Sequence, residues 1–218
     1  MTLIYCVSAY RKMCKECIFF FLEGNVGAGK STVLNHLKQE FPDDLTTVPE
    51  PVALWEESGL LAEMYDGRLS RATFQFVALI TKMSSLLDAI RSCKTNVILV
   101  ERSPYSDLEI FAEGTLEQAD LIAYKLAHKQ LIKEFEREAG DAKKTFVFLE
   151  NLTISQLIGR IRKRNRNGES RVDEDFLRML DARHRRMRHH SQHDCVTLDA
   201  SLPEAEVLAK ARTIVTTA

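Results

Sequence analysis

The stretch GNVGAGKST at residues 24–32 constrains what this chain can fold into more than any other feature. It lies between the apolar run IFFFLE (18–23) and the amphipathic run that begins VLNHL, so a strand, a glycine-rich turn and a helix follow in immediate succession. Gly24, Gly29, Lys30 and Ser31 fit the pattern of a glycine, four residues, then Gly-Lys-Ser. Glycines let successive backbone N–H groups converge on phosphate oxygens, and the helix that follows presents its positive end. Gly24, Asn25, Val26, Gly27, Ala28, Gly29, Lys30, Ser31 and Thr32 are therefore expected to cradle the phosphates of a nucleoside triphosphate, with Lys30 on the outer phosphates and Ser31 on Mg²⁺. No Asn-Lys-x-Asp sequence for reading guanine is present.

The rest of the chain supplies a matching scaffold. Apolar runs at 18–23, 97–101, 145–150 and 195–199 read as strands buried on both faces, and 45–49 as a weaker one. Helical periodicity covers 30–40, 55–64, 71–93, 116–138, 153–165, 173–190 and 203–215. This alternation predicts an α/β fold of the P-loop NTPase type, a five-stranded parallel sheet flanked by helices. Ligands of such sheets bind beyond the carboxyl ends of the strands. Gly24, Glu50, and Glu101 with Arg102 fall at three of those ends.

Length and charge narrow the rest. A chain of 218 residues suits one domain, taken as 18–218, preceded by an extension at 1–17 whose role the sequence does not indicate. A net charge of −1 gives no general attraction to nucleic acid. Five scattered cysteines (Cys6, Cys14, Cys17, Cys93, Cys195) point to a reducing compartment rather than a disulfide framework. The N-terminal apolar run is interrupted by Arg11, Lys12, Lys15 and Glu16 and lacks the layout of a signal peptide, and no apolar stretch looks long enough to cross a bilayer. The expectation is a cytoplasmic protein with neither a membrane nor a nucleic acid as partner.

Three features have ordinary readings as well as chemical ones. Glu50, in VPEPVALW, is suited to accept a hydroxyl proton, although a glutamate beside prolines is usually a solvated loop residue. The segment RIRKRNRNGESR carries Arg160, Arg162, Lys163, Arg164, Arg166 and Arg171 at a helix end, where cations offset the helix dipole. In ARHRRMRHH and beyond, His184, His189, His190 and His193 lack the spacing of a metal site and read as a solvated face. Cys14 and Cys17 read as reduced thiols without a partner pair.

Taken together, GNVGAGKST, EPVALW, the Phe-Gln at 74–75, ERSPYSD and RIRKRNRNGES resemble, in order and spacing, the motifs of the deoxynucleoside kinases. The resemblance runs from residue 18 to about 200 and implies ATP as phosphoryl donor, Mg²⁺, a small deoxynucleoside acceptor and a homodimer. It implies Glu50, Arg102 and Arg164 as catalytic residues, Glu101 beside Ser31 on the metal, and Arg160, Arg164 and Arg166 as a short arginine-rich lid over the donor phosphates. For the acceptor it implies Trp55, Phe74 and Phe111 around the base, Gln75 on the base edge, and Tyr65 with Glu169 on the sugar 3′-hydroxyl.

Lys82 lies two helical turns beyond Gln75 and matches an Arg in cytosine-accepting relatives, with Asp107 as its acidic partner. An acid there can accept from an exocyclic amino group, while a lysine can donate to the O4 of thymine, so the expected substrate is a pyrimidine deoxynucleoside. Pro104 stands where relatives carry Ile and bears on the loop holding Asp107. Alternatives are a thymidylate-type monophosphate kinase, which needs a cation where Glu50 stands, and a kinase-like subunit without catalysis.

Overall fold

The computed structural model describes residues 17–166 and 168–217; the extension, apart from Cys17, and Asn167 lie outside them. Five strands, β1 (Ile18–Gly24), β2 (Leu45–Val48), β3 (Val97–Glu101), β4 (Lys143–Glu150) and β5 (Asp194–Asp199), form one sheet in the order β2-β3-β1-β4-β5. Every pairing is parallel. Helices cover both faces: α1 (Lys30–Glu40), α2 (Val52–Glu57), α3 (Leu60–Tyr65), α4 (Arg71–Ser92), α5 (Pro104–Ser106), α6 (Glu113–Thr115), α7 (Gln118–Ala139), α8 (Ile154–Arg164), α9 (Glu174–His190) and α10 (Glu204–Thr216).

The run Phe19-Phe20-Phe21-Leu22 explains why β1 is central. Side chains alternate across a strand, so a continuous apolar run feeds both layers. Phe19 and Phe21 pack with Met83, Leu86 and Phe135 of α4 and α7. Phe20 and Leu22 pack with Leu34, Leu157 and Val207 of α1, α8 and α10. All four are essentially inaccessible to solvent, and each contributes about 1.5–3 kcal/mol by burial. Truncating any one to Ala opens a cavity in a close-packed layer, at about 3–5 kcal/mol for a Phe.

Three expectations need correction. The helix expected over 55–64 is two short helices, because Gly59 at φ 77° ends α2 and begins α3. The segment after β3, read as a loop, is helical throughout. Ser103 caps it by accepting from the Ser106 N–H, Pro104 takes the first position, and residues Asp107–Ala112 form a π-helical turn between α5 and α6. Finally, α4 is long and apolar enough, by length and composition, to cross a membrane. Its Phe74, Ala78, Leu79, Met83, Leu86, Leu87 and Ile90 are instead buried among other side chains, as in the core helix of a globular domain.

Candidate active site

At the end of β1 the chain turns sharply. Gly24 has φ 143°, and a Cβ there would stand 2.7 Å from the Leu149 carbonyl oxygen, so no larger residue fits. Asn25 is buried and fastens the loop, donating from Nδ2 to the Leu177 carbonyl (2.8 Å) and accepting from the Val26 N–H (2.8 Å). The buried Lys30 donates from Nζ to the carbonyls of Gly24 (3.1 Å) and Asn25 (3.0 Å). Burial, aided by the Arg102 cation, pulls its pKa down to about 7. α1 starts at Lys30 with no side-chain cap and no acidic residue in its first turn, which leaves its positive end open to an anion.

The ends of the neighbouring strands bring charge to this loop. Ser31 Oγ donates to Glu101 Oε1 (2.8 Å). Arg102 follows in a left-handed conformation, φ 66°, that costs a non-glycine residue energy. Its Nε donates to Glu50 Oε2 (3.3 Å), its Nη1 to the Gly24 carbonyl (3.1 Å), and its guanidinium carbon lies 4.7 Å from the centre of the Phe111 ring. Lys82 pairs closely with Asp107 and stands 3.8 Å from Glu50 Oε1. Burial works against the Glu50 charge, but Arg102, Lys82 and Lys30 together outweigh it and hold the carboxyl below its usual range. Burial likewise opposes the Lys82 charge and is outweighed by Asp107 and Glu50, so its pKa rises. A Glu50 ionised at neutral pH can accept a proton.

Next to Glu50 lies a pocket made by helices. Trp55 packs edge-on against Phe74 with ring centres 5.4 Å apart, and its Nε1 donates to Thr81 Oγ1 (3.0 Å). Gln75 sits one residue on along α4. Tyr65 is pushed up to about 12 by burial and by the Glu169 charge. Glu169 is held at both oxygens by Arg164 (2.6 Å to Oε1, 3.1 Å to Oε2) and at one by Arg166 (3.3 Å).

The arginines expected over the donor phosphates thus divide. Arg160 grips the carbonyls of Ala28 (3.1 Å) and Ala200 (3.0 Å), while Arg164 and Arg166 close on Glu169, and Arg166 also reaches Glu56 (3.2 Å).

One cavity of about 750 Å³ joins these parts. Val26 through Thr32, Glu50, Trp55, Tyr65, Phe74, Gln75, Lys82, Glu101, Arg102, Asp107, Phe111, Arg160, Arg164, Arg166 and Glu169 all line it. Gly24 and Asn25 do not; their carbonyls anchor Lys30 behind the wall. Leu202, Val207 and Leu208 line it near Ala28 and Arg160, an apolar stretch that the sequence reading did not single out. Among the described residues no group of three or more His, Cys, Asp or Glu is placed to hold a metal. A hydroxyl and a carboxylate side by side, Ser31 and Glu101, nevertheless fit Mg²⁺, which takes few protein oxygens and completes its shell with phosphate and water.

The histidine cluster is corrected at one position. His189, His190 and His193 are exposed, but His184 is buried against the carboxyl end of the sheet, with Nδ1 at 2.7 Å from the Leu180 carbonyl and Nε2 at 3.5 Å from Arg102 Nη1. Its signal was spacing: Leu177, Leu180, His184 and Met187 form one buried stripe of α9. Glu23, also missed, is fully buried at the end of β1 and accepts the Ser103 N–H on Oε1 (2.7 Å).

Comparison with known proteins agrees with this arrangement. A family model described as deoxynucleoside kinase matches residues 20–215. Deoxycytidine kinase 2 of Gallus gallus is 29% identical over 192 residues, covering 75% of this chain and 71% of that protein. The deoxycytidine kinase of Mus musculus is 29% identical over 191 residues (75% and 72%). The thymidine kinase of Epstein-Barr virus is 27% identical over 190 residues, 78% of this chain but 31% of that longer protein. A match over nearly the whole described chain, on a parallel sheet whose strand ends carry a glycine-rich phosphate loop and a buried acid–arginine pair, shows that the chain belongs to the deoxynucleoside kinase family.

Proposed function

We propose that the protein transfers the γ-phosphoryl group of ATP to the 5′-hydroxyl of a pyrimidine deoxynucleoside, deoxycytidine or thymidine. The observation that carries this reading is Glu50: ionised, paired with Arg102, and lining the same cavity as the phosphate loop. In this mechanism Glu50 accepts the hydroxyl proton as the new P–O bond forms to O5′ and ADP departs with the other oxygen. Arg102 steadies the Glu50 carboxylate and offsets charge on the transferring group. Ser31 and Glu101 would hold Mg²⁺, which when bound neutralises phosphate charge. Arg160, Arg164 and Arg166 form the lid.

Trp55, Phe74 and Phe111 supply apolar faces for the base, and Gln75 can present either a donor–acceptor or an acceptor–donor edge by turning its amide. Lys82, neutralised by Asp107, lines the cavity on the same helix. A carboxylate at 50 repels an acceptor that already carries phosphate, which favours a nucleoside over a nucleotide. Cytoplasmic localisation and a homodimer belong to the same proposal. Ile80 on α4 and Ile122 with Leu126 on α7 are each more than half exposed on helices that pack together, and offer an apolar face for pairing. The test is competition among the four deoxynucleosides for phosphorylation by the purified protein with Mg·ATP. Labelled monophosphate from deoxycytidine or thymidine is expected, and none from any nucleoside would sink the proposal.

A further inference from the structure

Arg102 is held on several sides at the strand ends, and His184 and Glu23, neither of which lines the cavity, lie against its guanidinium and against the backbone that follows it. We infer that the buried His184 is a positioning residue that fixes the Arg102 guanidinium through its Nε2 lone pair, while Glu23 fixes the backbone of the same turn. The inference rests on the role proposed above for Arg102.

Hydrogen-bond accounting assigns the imidazole. Nδ1 lies 2.7 Å from the Leu180 carbonyl, which can only accept, so Nδ1 carries the proton. The Gly24 carbonyl also faces the ring, but it already accepts from Lys30 Nζ (3.1 Å) and Arg102 Nη1 (3.1 Å), which occupies both of its lone pairs and leaves none for a second imidazole proton. Burial, together with the Arg102 and Lys30 cations, holds the ring neutral well below its ordinary pKa. Nε2 is therefore a bare acceptor 3.5 Å from Arg102 Nη1.

The other face of the turn is held by Glu23. Arg102 N–H donates to the Leu22 carbonyl (3.0 Å), and the next N–H, of Ser103, to Glu23 Oε1 (2.7 Å). These bonds bracket the strained φ of 66°. Glu23 is wholly buried, and its Oε2 has no hydrogen-bond partner among the described residues. No cavity wall explains a carboxyl there; the backbone turn does.

A neutral acceptor suits this place. When Glu50 takes up a proton its hold on Arg102 weakens, whereas the His184 lone pair keeps the same charge before and after transfer. The guanidinium then stays aimed at the reacting oxygens throughout the step.

Steady-state kinetics on His184→Phe and His184→Gln test the inference, with Arg102→Ala and Arg102→Lys as companions. His184→Phe fills the space without an acceptor, and kcat should fall about 10- to 100-fold, the cost of misaiming a positioned group. Both KM values should stay within about threefold, and His184→Gln, which restores an acceptor, should recover most of kcat. In an Arg102→Lys background, His184→Phe should add no further loss. Equal impairment of the Phe and Gln variants, full activity of His184→Phe, or additive losses would overturn the inference. Should His184→Phe fail to fold, His184→Asn, whose shorter side chain falls short of Arg102, takes its place in each comparison. Full turnover in Arg102→Ala would overturn the reading of the site itself and the inference with it. Loss in Arg102→Ala without loss in His184→Phe would overturn the inference alone.

Discussion

The two ends of the cavity are built in opposite ways. At the proposed donor end, the consecutive residues Val26 through Thr32 line the cavity on a single turn of backbone, and the side chains that matter are few. At the proposed acceptor end hardly any backbone is offered: Glu50, Trp55, Tyr65, Gln75, Lys82, Arg102 and Glu169 arrive from several elements, and Glu50, Lys82 and Arg102 are held by one another. A phosphate can be met by any chain that bends correctly, because every residue except proline has a backbone N–H. A nucleoside needs particular groups at particular points, so that end depends on mutual side-chain support and fails residue by residue.

Substitutions can break or sharpen this contrast. Glu50→Gln should give the largest effect, a loss of kcat of about 10²- to 10⁴-fold with ATP binding retained, since it removes the proton acceptor without touching the loop. Donor binding by equilibrium dialysis and turnover by a coupled assay would separate the two; matched losses would break the contrast. Arg164→Ala should lower turnover by about 10²- to 10³-fold in a protein that still folds, with a lower melting temperature because the buried Glu169 keeps only Arg166. Unchanged steady-state turnover would remove Arg164 from the lid.

Gly24→Ala attacks the backbone end instead. With φ at 143° and the Leu149 oxygen 2.7 Å from the new Cβ, it should destabilise the protein by about 1–3 kcal/mol and abolish ATP-dependent thermal stabilisation. A variant that melts and binds like the parent would show that the turn is more forgiving than its geometry.

Glu23→Gln should be the mildest. Burial raises the Glu23 pKa above its ordinary 4.5, so the native state holds a proton that the unfolded chain releases. The parent should therefore lose stability relative to Glu23→Gln as pH rises from about 4.5, by at most about 1.4 kcal/mol per pH unit. Parallel denaturation curves across that range would mean that the carboxyl is ionised in the fold.

Legibility in the sequence followed the same division. The phosphate loop, the central strand and the long helices were readable because each is encoded locally, by glycine spacing or by a single periodicity. The break at Gly59 turns on one backbone dihedral that an amphipathic pattern passes over. The π-helical turn carrying Asp107 and Phe111 has a hydrogen-bond register that no hydrophobic period announces. Glu50 and Arg102 were marked by their places at strand ends, but the other proposed acceptor residues could be named only through family resemblance, since nothing local in an isolated Gln75 or Lys82 says which other side chain it will meet. His184 was misread because its neighbours are basic, although its position on the apolar stripe of α9 argued for burial.

The fork between Arg164 and Glu169 carries a final consequence. In the proposed roles, one guanidinium serves an acid at the sugar and also the nucleotide beyond it. An alcohol settling on Glu169 competes for that grip and frees the cation to swing toward its second client. The two substrates then cease to be independent visitors, and the protein has a means of sensing that the first has arrived before it commits to spending the second.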